Sequence, residues 1–267
     1  MTKSLLTLAI LSSAAFADDP APKIDISKLP QQTQMVDEVV VPVPSEIFTV
    51  LDKLGKPNWT AVLRAPKGTL KSFGSEPQIA LRLGTVIAEG FVAVQAEDAT
   101  AVKDIGKSVL SLATALSVDK EVKRRANAII GAADAKDWKL VRKELDGALR
   151  EVKDAMKSLN SEQLSHLVSL GGWLRGTEAL CDVVNKNYSK DGADLLRQQM
   201  LLSYFDGKLK VMSKDKALKH ALIPKIQAGL TGIQPLIGLS PDADISAKSV
   251  KEIGDITAGL VKAIQTK

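Results

Sequence analysis

Residues 161–187 read SEQLSHLVSLGGWLRGTEALCDVVNKN. Leu164, Leu167, Val168, Leu170, Trp173, Leu174, Leu180, Cys181, Val183 and Val184 recur at helical spacing and leave only a narrow polar strip. A helix apolar on nearly all sides can bury that much surface only among other helices, so the stretch predicts the central helix of a bundle. Gly171, Gly172 and Gly176 interrupt it. Each costs roughly 1 kcal/mol against Ala in a helix interior, a cost that close approach of a neighbouring helix would offset.

The pattern continues on both sides. Residues 77–97, PQIALRLGTVIAEGFVAVQAE, predict a second almost wholly apolar helix. Between the two, Asp98 is placed to cap a helix carrying Val102, Ile105, Val109, Leu112 and Leu116. Asp119 opens another through Val122, Ala126, Ile129 and Ile130 that ends near Gly131, and Asp137 a third through Val141, Leu145, Leu149, Val152 and Met156. Such stripes mark amphipathic helices lying on a core. Downstream the spacing predicts a helix over about 191–205, a Lys-rich stretch, a helix to about Leu230 and a last one over 246–265. Upstream, Ser45 starts a short helix that Gly55 and Pro57 end, and residues 59–63 form a single turn. No segment alternates as a strand, and aromatic residues are only 4% of the chain. The expectation is an all-α fold: a compact bundle of about seven to nine helices in one domain, residues 45–267. The 34-residue tetratricopeptide pattern is absent. At an offset of 87 residues Leu83-Gly84 matches Leu170-Gly171 and Lys103-Asp104 matches Lys190-Asp191. A duplicated hairpin is one reading of these matches, and helical period alone is the other.

The N-terminus, MTKSLLTLAILSSAAFADDP, has the form of a secretory signal: Lys3, an apolar core from Leu5 to Leu11, and small residues at Ala15 and Ala17 before Asp18. Cleavage there would leave residues 18–44 as an extended Pro-rich arm, since proline fixes its own φ and biases its predecessor away from the helix. The expected mature protein is exported, periplasmic or extracellular, without a transmembrane segment. Its charge falls by the one Lys from +5 to +4. That excess, with few aromatics for base stacking, does not point to nucleic acid.

Chemistry-bearing motifs are sparse. Cys181 is the single cysteine and predicts a buried, inert thiol. His166 and His220 have no second ligand at metal spacing, so no metal site is expected, and no cofactor motif is present. His166 is expected as a satisfied core histidine and His220 as a solvated one. Ile105-Gly106-Lys107-Ser108 resembles the end of a phosphate-binding loop, but position 101 is Ala and the tetrapeptide lies inside a helical pattern. Two basic clusters, Lys120 to Arg125 and the lysines from Lys208 to Lys225, could meet an anionic envelope component; interleaved Glu121, Asp206 and Asp215 favour a solvated surface instead.

The two most apolar helices each carry one polar row. Gln78, Arg82, Thr85 and Glu89 fall at spacings of four, three and four, and Arg175, Glu178, Asp182 and Asn185 at three, four and three. The plainer expectation puts each row on the solvent edge of its helix. The alternative sets them facing each other inside the bundle, with Arg82 or Arg175 pairing Glu89 or Glu178, as a structural network or the lining of a small-ligand cleft. Arg82, Glu89, Arg175 and Glu178 are the candidate ligand-binding residues, with no catalytic set. The functional expectation is a non-enzymatic binding or scaffold module with an unidentified protein or envelope partner. A small-ligand-binding bundle is the alternative, and a hydrolase comes third.

Overall fold

A computed structural model describes residues 51–267 apart from 53, 56, 160, 216–219 and 239–242, together with the backbone of 34–36 and 39–41. The expected leader at 1–17, most of the expected Pro-rich arm and most of the helix expected from Ser45 lie outside the described residues.

The fold is all-α. Helices α1 (Glu76–Gln95), α2 (Ala99–Ala115), α3 (Asp119–Asp134) and α4 (Trp138–Ser158) follow one another through three-residue links, each packing on the next, with α4 returning to α1. All four line one small apolar void of about 40 Å³ between Ile87, Ile105, Ile129 and Leu145. The links share a construction. Glu97, Ser117 and Lys136 adopt φ of 52°, 61° and 57°. The next amide then reaches back into the helix: Asp98 to the Ala93 carbonyl at 3.0 Å, Val118 to Ala113 at 3.0 Å, Asp137 to Ala132 at 2.9 Å. This left-handed cap satisfies carbonyls that a helix end leaves unpaired. The Asp98 and Asp137 carboxylates accept from the amides of Ala101 and Leu140, starting the following helices as expected from the sequence.

Helix α5 (Glu162–Lys186) returns alongside α1 in the largest helix–helix contact of the molecule. Leu81 faces Gly171, Gly84 faces Val168 and Gly172, and Glu89 faces Arg175. Beyond this crossing the paired numbers rise together, Glu89 facing Arg175 and Val92 clustering with Ala179 and Val183, so the two helices run parallel. A Cβ on Gly84 would strike the Val168 carbonyl, and one on Gly171 the Leu81 carbonyl. The two contacts exchange under the offset of 87 residues, a local two-fold relation at the crossing. Gly172 lies more loosely against the Gly84 carbonyl, and Gly176 is exposed with nothing near it. The other matched pair does not continue the relation: Lys103-Asp104 sits inside α2, whereas Lys190-Asp191 opens a new helix.

The chain then forms α6 (Lys190–Asp194), α7 (Gln199–Met212), α8 (Leu222–Ile233) with a 3-10 turn at Gln234–Ile237, and α9 (Ala247–Gln265). Helix α9 lies along α5 and α8, and α7 on α8. Two helical groups therefore meet at the α1–α5 seam.

Three expectations are corrected. The helix over 191–205 is broken at 195–198, where side chains leave for tertiary partners. Arg197 donates to the carbonyls of Ile237 at 3.1 Å and Ala243 at 2.6 Å, while Gln198 Oε1 accepts from Trp173 Nε1 at 2.6 Å. Helix α3 runs past Gly131 to Asp134. Two short strands, β1 (Gln34–Val36) and β2 (Val39–Val41), pair antiparallel, consistent with the preference of clustered valines for extended backbone, and β2 lies against α7. Helix α1 has the length and composition to cross a bilayer, but its apolar window is entirely buried within the fold, so no clear transmembrane segment is present among the described residues.

Candidate functional site

The connection before α1 supplies what the seam lacks. Trp59 and Val62 are buried against Val92 of α1 and Ala179 and Val183 of α5. The 3-10 turn Trp59–Ala61, capped by the Asn58 side chain on the Ala61 amide, presents the next residues to the two helices.

Beyond the glycine crossing, Glu89 and Arg175 are 4% and 1% exposed. Arg175 Nε donates to Glu89 Oε2 at 2.5 Å and Nη2 to the Val62 carbonyl at 2.8 Å. Its Nη1 stands 3.4 Å from Glu178 Oε2, an ion pair without hydrogen-bond geometry. Both atoms are buried and lack a hydrogen-bond partner among the described residues. Arg64 completes the set. Its backbone N–H donates to Glu89 Oε1, its Nη1 to Glu178 Oε1, and its Nη2 to Asp182 Oδ2 at 2.9 Å. Two guanidinium groups thus face three carboxylates. Desolvating one ion costs several kcal/mol unless it is paired, so the arrangement holds only as a unit.

The α1 row is buried throughout, and in the α5 row Arg175 and Glu178 are buried while Asp182 is half-buried and Asn185 exposed. The solvent-edge reading is therefore corrected for all but the end of the second row. Glu89, Arg175 and Glu178 are brought together. Arg82 is not: although 2% exposed, it stacks over the Phe73 ring at 3.7 Å and donates to the Lys71 carbonyl at 3.3 Å. Gln78 ties the C-terminal end of α9 to α1 through the carbonyls of Ile264 and Thr266. Arg64 was not among the expected residues. Its only sequence signal is a single cation in the apolar run Ala61-Val62-Leu63-Arg64-Ala65.

A cleft of about 590 Å³ opens beside this network. Arg64 and Arg175 line one side. Ala258, Gly259, Val261 and Lys262 of α9, followed by Gln265 and Thr266, line the other.

No protein-family model, curated protein or solved structure matches the chain. The site must be read from its own geometry.

Elsewhere the reactive groups are spent on packing. His166 is buried with Nδ1 2.8 Å from the Tyr204 hydroxyl, as expected for a core histidine. Burial, with Asp182 nearby, pushes the Cys181 thiol up to about 12. His220, half-buried rather than fully solvated, accepts the Leu222 amide. The Gly106-Lys107 segment lies inside α2, so it is no phosphate loop. Arg124 and Arg125 pair across to α4: Arg125 bridges Glu144 at 2.8 Å and Glu151 at 2.9 Å. Arg125 thus cements α3 to α4, while Lys120, Lys123 and Arg124 remain exposed. Among the described residues, no group of three or more His, Cys, Asp or Glu could hold a metal ion.

Proposed function

We propose that this chain is an exported, non-enzymatic binding protein whose cleft between α5, α9 and the Arg64 connection receives a small polar ligand. The reading is supported by one observation above the rest: Arg175, buried to 1% exposure, lines an open cleft while one of its three guanidinium nitrogens, Nη1, lacks a hydrogen bond. Ligand sites are concave, of several hundred Å³, with a few fixed polar groups, and this cleft has that form. Binding rather than turnover is favoured because the thiol and His166 are packed away from the cleft lining.

A second reading, a scaffold module docking on a protein or anionic envelope component, is supported by α7. Met200 is 71% and Val211 57% exposed there, beside Lys210 and Lys214. Native mass spectrometry of the mature protein against its denatured mass separates the two. A stoichiometric small added mass supports the cleft. A bare chain that crosslinks to a protein partner through α7 favours the scaffold.

A further inference from the structure

We propose that the cleft selects an anion, a small carboxylate or phosphate group held jointly by Arg175, Arg64 and Lys262. This rests on the reading of the cleft as a ligand site. Among the described residues, the charged side chains lining the cleft are all cations. The carboxylates of Glu89, Glu178 and Asp182 stand behind the two arginines rather than in the lining. There they act as anchors, fixing each guanidinium in one orientation. Both guanidiniums line the cleft and, so held, set fixed positive charge where the oxygens of a carboxylate or phosphate would sit.

Three features give the cleft depth and polarity. Arg175 lines the cleft with its charge fixed by Glu89, Val62 and Glu178, its buried Nη1 standing 3.4 Å from Glu178 Oε2. Gly259 faces open space, with nothing within 4 Å of where its Cβ would be, so the α9 side leaves room for a ligand. Lys262 is exposed and Arg64 half-exposed, which places two cations at the mouth to draw an anion inward. A neutral polyol would meet the same hydrogen bonds without the charge, and so would bind more weakly.

The test is an amide NMR titration of the mature protein with sodium phosphate, sodium acetate and erythritol at fixed ionic strength. Saturable shifts at Gly259, Lys262 and Thr266 with phosphate or acetate are expected, with little response to erythritol. The stronger of the two anions identifies the head group. In Lys262→Glu, whose exposed side chain leaves the core untouched, the anion affinity should fall at least tenfold while the melting temperature stays the same. Shifts from erythritol but from neither anion overturn the choice of anion and leave the cleft as a ligand site. No saturable shift from any of the three overturns both readings. Anion shifts that persist undiminished in Lys262→Glu mark general surface association and overturn the proposal.

Discussion

At Gly84 and Gly171 the two central helices touch backbone to backbone, whereas at Glu89 and Arg175 the same helices hold a carboxylate and a guanidinium between them. At 1.5 Å per residue, the two regimes lie only about 7 Å apart along α1. The crossing is dry and specified by the absence of side chains. The far end is ionic and specified by mutual neutralisation, with Val62 and Arg64 of the connection filling the space where the helices diverge. One helix pair thus provides both a rigid pivot and a polar wall.

Substitution at the pivot should have the largest effect. Gly84→Val or Gly171→Val drives a side chain into a backbone carbonyl that cannot rotate away, and should cost about 3 kcal/mol or more in urea unfolding. Gly176→Ala, on the exposed side of the same helix, should instead stabilise by about 1 kcal/mol. Equal responses at Gly171 and Gly176 would dissolve the contrast.

The ionic end should come close behind. Arg175→Met strands two buried carboxylates and should cost about 3–5 kcal/mol. Combining it with Glu89→Leu and Glu178→Leu should recover part of that loss, a non-additivity of more than about 1 kcal/mol. Additive losses would mean that the charges do not act as a unit.

Smaller effects belong to the periphery. Glu97→Gly, Ser117→Gly and Lys136→Gly, at exposed left-handed positions, should each stabilise by about 0.5 kcal/mol in the same unfolding assay. The Cys181 thiol should resist labelling by aqueous disulfide reagents until the protein unfolds. Because its folded pKa is raised, to about 12, its stabilising contribution is complete below the unfolded value near 9.0 and fades as pH climbs towards 12. Stability measured across that window should fall less steeply in Cys181→Ala.

Much of this was legible in the sequence. Periodicity located α1 to α5 and α9, and the helices opened at Asp98 and Asp137 start where expected. The polar rows were legible as rows, because spacing of three and four fixes a shared face. What such a face meets is not encoded in spacing. Arg82 and Arg175 have the same local pattern, yet one stacks on Phe73 and the other closes an ion network, since different loops arrive at each. The break at 195–198 was hidden for the same reason: helical propensity there yields to tertiary hydrogen bonds of Arg197 and Gln198. The left-handed turns were hidden because their residues are not glycine.

The parallel pairing of α1 and α5 also bears on how the chain is made. The start of α5 lies 86 residues after the start of α1, at Glu162 against Glu76. At ~5–20 residues per second of synthesis, α1 therefore waits roughly 5–15 seconds for its principal partner. Helices α2 to α4 can cover one flank in that time, through local hairpins that close quickly. The Gly84 flank stays bare until α5 is complete. During biosynthesis that strip is the place where a chaperone would be needed and where two unfinished chains would first stick together.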